Sequence, residues 1–356
     1  MEVDTVYALE VRLMLELWWK LEFLYQVRRI ATMRNTKKLI TWMIWLLAFI
    51  LIVFLLTRCN AKDNKTVKIV YVSKVLDDNN AFWFSLIEGT EIAAKEYGVE
   101  LTILAPDSES DYEKQNDMIA NAIALKPDAI LLSPADNEKT LPAAKKIKEA
   151  GIKLILIDSQ MAEPIEDALI ATDNIEAGKK VGQLVNHLIK ENSKIAVVSH
   201  VQGTSTAIAR EVGLRIALGE DEKRIVDVVF SDSEYDKAYQ VTKELLQVHP
   251  DVDIIAGLNE YSAIGAARAV RDLKLTDSIK LIGFDSSVEE IQLLESGVFD
   301  GIVVQKAFNM GYIGLETAIK ILRGEEVATN IDSGSNIVRK DDIYTEENQK
   351  LLFPFR

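Results

Sequence analysis

From Val67 almost to its end, this chain alternates short apolar runs rich in β-branched residues with longer stretches of helical periodicity. The alternation predicts parallel α/β layers, because neighbouring parallel strands need a long crossover and a helix supplies it. The strand candidates are Val67 to Val72, Glu100 to Leu104, Ala129 to Leu132 and Lys153 to Ile157. They continue with Lys194 to Val198, Ile225 to Val229, Asp253 to Ala256, Lys280 to Ile282 and Gly301 to Val304. Helical patterns between them cover Asn116 to Leu125, Thr140 to Ala150, Ile175 to Lys190 and Ala263 to Leu273, after an amphipathic segment that ends near Gly98. Four strands precede Asp173 and five follow it, which predicts two similar doubly wound lobes. With 356 residues, the chain is long enough for two sizeable cores.

Ahead of this region, Arg34, Lys37 and Lys38 precede an uncharged apolar run from Leu39 to Thr57. About twenty such residues cross a bilayer as a helix, and basic residues before them keep that end in the cytoplasm. Residues 39–57 are therefore expected to be a transmembrane anchor or signal segment, and 58–66 a polar linker. Residues 1–38 read as a cytoplasmic extension or, with Met33 as the true start, as a stretch outside the protein proper. An uncleaved anchor, a cleaved signal peptide and a lipoprotein signal acylated at Cys59 all fit the run. Arg58, where a lipobox carries a small residue, favours the anchor. Each of the three delivers the rest to the extracytoplasmic face of the membrane. Cys59 is the single cysteine, so no intrachain disulfide forms. A formal net charge of -14 argues against a nucleic-acid partner.

No catalytic signature emerges. Gly203-Thr204-Ser205-Thr206 lacks the lysine of a phosphate-binding loop, and no glycine-rich dinucleotide fingerprint follows the first strand. His187, His200 and His249 have no metal-ligand spacing and read as surface or helix-face residues. Asp77 and Asp78 lack the alternating oxygen ligands of a calcium loop. No nucleophile sits beside a base. The chain reads as a non-enzyme without cofactor or metal.

What recurs is a polar residue at the carboxyl end of a strand: Asp158, Asn259, Asp285 and Gln305. Singly, each fits a helix cap or turn. Together, at the ends of different strands, they line the crevice where open α/β sheets hold ligands. Asp77-Asp78-Asn79-Asn80-Ala81-Phe82-Trp83 adds an amide and two aromatic faces between the first strand and its helix. Carboxylates accept from adjacent hydroxyls, amides donate and accept, arginine donates, and aromatic faces cover an apolar ring face. That set suits a small polyhydroxylated ligand, a sugar.

With these residues in view, Val67 to about Asn348 resembles the type I periplasmic sugar-binding proteins, most closely the ribose-binding branch. The matching stretches are Asn79 to Trp83, Ile157-Asp158-Ser159-Gln160, Ala171 to Asn174, Gly203-Thr204-Ser205 and Ala209-Arg210-Glu211-Val212-Gly213. Asn259-Glu260, Gly283-Phe284-Asp285 and Val304-Gln305 complete them. The resemblance implies two Rossmann-like lobes joined by three crossing strands, 67–172 with 306–334 and 173–305 with 335–356, closing on ligand by a hinge. Carried over residue by residue, it implies that Asn80, Asp158, Arg210, Asn259, Asp285 and Gln305 hydrogen-bond the sugar. Phe82 and Trp83 would stack on it, and Tyr235 would close the far side. The family's ribose binders carry an arginine directly after the aspartate; Ser159 stands there, which leaves room for a different or larger sugar. The implied partner is an ABC permease, the alternative a membrane-tethered co-receptor role toward a sensor kinase or chemoreceptor. Ligand-responsive repressors share the fold but need a helix-turn-helix where this chain has its apolar run.

Overall fold

The alternation resolves into two six-stranded sheets. The first contains β1 (Lys68–Val72), β2 (Glu100–Leu104), β3 (Ala129–Leu132), β4 (Lys153–Ile157), β5 (Ala168–Ala171) and β11 (Asn330–Asp332). Its order is β11-β5-β4-β3-β1-β2, and every pair is parallel. The second holds β6 (Ile195–Ser199), β7 (Ile225–Phe230), β8 (Ile254–Gly257), β9 (Lys280–Phe284), β10 (Phe299–Gln305) and β12 (Ser335–Val338). Its order, β12-β10-β9-β8-β6-β7, repeats the first, except that β12 is an antiparallel edge.

Strands such as Ala-Ile-Leu-Leu in β3 are buried at every position, as a sheet covered on both faces requires. Alternate residues serve opposite faces. Ile69, Tyr71, Leu131 and Ile155 pack on one side of the first sheet, and Val70, Val72, Ile130 and Leu154 on the other. In the second sheet, Val198, Ile255 and Leu281 oppose Val197, Ile254 and Ile282.

The computed structural model describes residues 18–26, 41–51 and 66–353. Residues 18–26 (α1) and 41–51 (α2) are helical and belong to the unit Met1–Lys65; the sheets belong to Thr66–Arg356. The remainder of the expected 39–57 span, with Cys59 and the linker to Lys65, lies outside the described residues. Among the described residues, no helix is long and apolar enough to cross a membrane.

Several of the helices that cover the sheets begin where a side chain caps them. Asn80 starts α3 (Ala81–Tyr97), Asp173 starts α6 (Asn174–Asn186) and Thr204 starts α7 (Ser205–Leu218). Asn259 starts α9 (Glu260–Asp272), and Ser287 starts α10 (Val288–Ser296) through a capping box with Glu290. Helices α4 (Tyr112–Ala124), α5 (Leu141–Glu149) and α8 (Tyr235–Val248) fill other crossovers.

Since β5 and β11 belong to one sheet and β10 and β12 to the other, the chain passes between sheets three times: after β5, after β10, and from β11 to β12. After the second passage, α11 (Ala307–Leu322) packs on α3 of the first lobe. The backbones meet at two glycines. A Cβ on Gly89 would lie 2.1 Å from the Phe308 carbonyl oxygen, and one on Gly311 1.9 Å from that of Leu86. α12 (Glu346–Leu352) closes the described chain.

Candidate functional site

The carboxyl ends of β1, β4, β6, β8, β9 and β10 deliver their next residues to one cavity between the lobes, of about 20 Å³. Asn80, Phe82, Trp83, Asp158, Arg210, Asn259, Asp285 and Gln305 all line it. Ser159 and Tyr235 do not.

Asp158 and Asp285 follow β4 and β9, strands that hold equivalent places in the two sheets. Both have left-handed backbones, with φ of 69° and 82°. A non-glycine residue held there costs roughly 1–2 kcal/mol, least for Asp and Asn, and such outliers cluster at ligand sites. The β9 aspartate is not a helix cap, a role that Ser287 takes. Its Oδ2 accepts from the Glu260 backbone N–H at 3.0 Å and its Oδ1 from Gln305 Nε2 at 2.8 Å. Burial pushes its carboxyl above the ordinary value, against the pull of Arg210.

The β4 aspartate is met by a residue that sequence reading missed. Lys74, buried at the end of β1, donates its ammonium to Asp158 Oδ2 at 2.8 Å and to Ser159 Oγ at 2.6 Å. Ser159 in turn donates to Asp158 Oδ2 at 2.7 Å. A lysine and a hydroxyl together, not a hydroxyl alone, therefore meet this carboxylate. The lysine carries the charge as a point rather than a planar fork.

Arg210 is 2 % exposed and is not the surface ion-pair former that a helix arginine usually is. Its Nε donates to Asn174 Oδ1 at 2.8 Å, its Nη1 to the Leu258 carbonyl at 2.7 Å, and its guanidinium lies 3.9 Å from the Phe284 ring centre. Phe82 and Trp83 meet edge to face at 5.1 Å. The Trp83 indole donates to Glu109 Oε1 at 2.5 Å.

Asn80 and Asn259 are helix caps and cavity residues at once. Each commits Oδ1 to its own helix, accepting from Trp83 N–H at 3.0 Å and Ser262 N–H at 2.9 Å, and Asn259 Nδ2 donates to Ser233 Oγ at 3.2 Å. His200 is corrected from a surface residue to a cavity residue. It is 2 % exposed, its Nε2 lies 2.9 Å from Thr206 Oγ1, and burial with nearby Arg210 and Lys74 keeps it neutral, well below the ordinary histidine pKa. Tyr261 lines the cavity in place of Tyr235, whose ring lies 4.7 Å from it.

Several hydrogen bonds bridge the two lobes around the cavity. Ser233 Oγ donates to Glu109 Oε2 at 2.9 Å, the Tyr261 hydroxyl to Asp77 Oδ2 at 2.8 Å, and Gln160 N–H to Ser205 Oγ at 3.0 Å. Asn137 N–H reaches the Gly203 carbonyl at 3.2 Å. Gly203 has φ of 95°, and a Cβ there would lie 2.7 Å from Asp136 Oδ2. Glu260 bridges the lobes as well, accepting from the first amides of α3. Among the described residues, no three His, Cys, Asp or Glu side chains are grouped to hold a metal. Buried acceptors, two cations and aromatic faces around one cavity equip the site to hold a hydroxyl-rich molecule.

The model of the periplasmic binding protein domain family matches residues 69–326. The ribose import binding protein of Escherichia coli (strain K12) is 28% identical, over 75% of this chain and 88% of its own. A sugar transporter of known structure from Clostridium phytofermentans is 48% identical, covering 78% of this chain and 100% of its own, with a TM-score of 0.74. An ABC transporter solute binding protein from Agrobacterium vitis, solved with bound D-fucose, is 32% identical over 80% of this chain and 100% of its own, with a TM-score of 0.77.

Proposed function

We propose, from the premise that this chain belongs to the periplasmic binding protein family, that it is an extracytoplasmic receptor for a monosaccharide or related small polyol. Its relatives are substrate-binding proteins, not enzymes. The observation that carries the reading is the pair Asp158 and Asp285: one buried carboxylate from each lobe, both at left-handed backbone positions, both on one cavity. Asn80, Asn259, Gln305, Arg210 and Lys74 supply donors to sugar oxygens, and Phe82 and Trp83 cover the ring. Ribose and D-fucose, bound by relatives, set the size of ligand. The lobes comprise 67–172 with 306–334 and 173–305 with 335–356. The three passages between them act as the hinge, and the closed form hands its sugar to an ABC permease. The apolar run over 39–57 holds the receptor at the membrane.

Residues 66–356 retain Trp83 as their only tryptophan, directly on the cavity wall. Titrating that fragment with pentoses and hexoses, D-ribose and D-fucose among them, should give a saturable change in Trp83 fluorescence with one or a few of them. A cooperatively folded fragment that answers to none of them sinks the reading.

A further inference from the structure

Glu260 is a buried carboxylate without a part in the sugar contacts assigned above. It opens α9 on the second lobe, is 1 % exposed, and reaches across to the start of α3 on the first. Oε2 accepts from the backbone N–H of Ala81 at 3.0 Å and of Phe82 at 3.3 Å, while Oε1 accepts from the Tyr235 hydroxyl at 2.7 Å. A helix start leaves its first N–H groups without partners inside the helix and carries partial positive charge. Asn80 answers one of them, Trp83 N–H, through Oδ1 at 3.0 Å, and gives its own N–H to the Asp77 carbonyl at 3.2 Å. The other two are answered from the opposite lobe. Tyr261, next to Glu260, holds Asp77 at the near end of the same segment.

Residues 77–83 are also the segment that presents Asn80, Phe82 and Trp83 to the cavity. We propose that Glu260 is a positioning residue for sugar binding: by capping α3 from the other lobe, it fixes those three side chains against the ligand and holds the cleft shut. The proposal rests on the sugar-binding reading.

The surroundings give this contact a pH dependence. Asp285 lies beside Glu260, Glu290 of α10 joins the same buried acidic group, and Tyr235 of α8 donates to it. Arg210 pulls on Asp285, and Arg268, paired with Glu289, sits 5.2 Å from the Tyr235 ring centre. Burial first, then the charge of Asp285, pushes Glu260 up to about 8, against the hydrogen bonds from Tyr235, Ala81 and Phe82. Opening the cleft returns water to the carboxylate, and its pKa falls toward the ordinary value of about 4.3. Closing therefore takes up a proton. The bias toward the closed form is full below the open-state pKa and is lost as pH rises through about 8. Asp285 and Glu290, also raised by burial, act with the same sign. His200, lowered by burial, acts oppositely but is already neutral above its ordinary value of about 6.5, so higher pH isolates the carboxylates.

The test is calorimetric titration of the full-length protein with D-ribose, D-fucose and D-galactose between about pH 7 and about pH 9, beside hydrogen exchange of the Ala81 and Phe82 amides with and without sugar. The unaltered protein should lose roughly tenfold in affinity across that interval, with both amides protected. Glu260→Gln keeps an oxygen for the two amides; it should retain their protection and flatten the pH profile. Glu260→Ala should expose both amides and weaken binding ~30-fold. Unchanged exchange in Glu260→Ala, or an undiminished pH profile in Glu260→Gln, overturns the proposal. If no sugar binds the unaltered protein, the sugar reading fails, and the exchange rates alone decide whether Glu260 caps α3.

Discussion

Asp158 and Asp285 show how single residues are shaped for this site. Each combines a left-handed backbone with a buried carboxylate, and Asp and Asn are the side chains that tolerate that backbone best after glycine. Asp285→Asn should therefore leave the melting temperature nearly unchanged while calorimetry shows sugar affinity falling ~100-fold. Asp285→Ala should abolish binding with the lobes still folded, at a further cost of about 1–2 kcal/mol in stability from the backbone alone. Lys74 invites a different experiment. Its ammonium is the ion-pair partner of Asp158, with both side chains under 5 % exposed. Lys74→Met removes that partner and should lower unfolding free energy by ~3 kcal/mol in chemical denaturation, as breaking a buried pair does. The aspartates were legible because each ends an apolar run. Lys74 was not, since it reads locally as an ordinary strand-end lysine and its partner lies 84 residues away. Glu109 and Glu260 stayed hidden for the same reason, as their partners sit on the opposite lobe.

Burial alone did not decide which elements were legible: β5 is buried and was missed, whereas the half-exposed β2 and β7 were read. β2, β3 and β4 begin and end where their apolar runs do; β3 and β4 are buried almost throughout, as strands covered on both faces are, while β2 is a half-exposed edge. β5, Ala-Leu-Ile-Ala, is as short as β3 but carries only two large apolar residues, and it was not among the expected strands. β11 and β12 carry polar, half-exposed residues and gave no signal either. The contact between α3 and α11 was likewise unreadable, since Gly89 and Gly311 look like weak points in two helices until the backbones are seen to touch. Gly311→Ala places a methyl 1.9 Å from the Leu86 carbonyl oxygen. Helix propensity favours that substitution by about 1 kcal/mol, but the clash should win, and thermal denaturation should show a net loss of ~2 kcal/mol or more.

For the whole molecule, the repeated strand order and the three passages between sheets matter most. Neither lobe is one continuous stretch of chain. The first sheet ends its early strands at Ala171, yet its helix α11 begins at Ala307 and its edge strand β11 at Asn330. A chain stopped after Glu325 lacks β11, β12 and α12. It should show no cooperative thermal transition by circular dichroism, although every cavity residue named above is present.

The same threading sets the order of events during synthesis. The ribosome delivers nearly all of the second lobe before it supplies the last pieces of the first, so the nascent chain cannot complete that first sheet as it emerges. Pairings this distant in sequence form slowly. Periplasmic binding proteins work beyond the membrane that encloses their ribosomes, and an unfinished chain is the form in which a polypeptide threads through an export channel. Late delivery of α11 and β11 puts the completion of the first lobe at the end of synthesis.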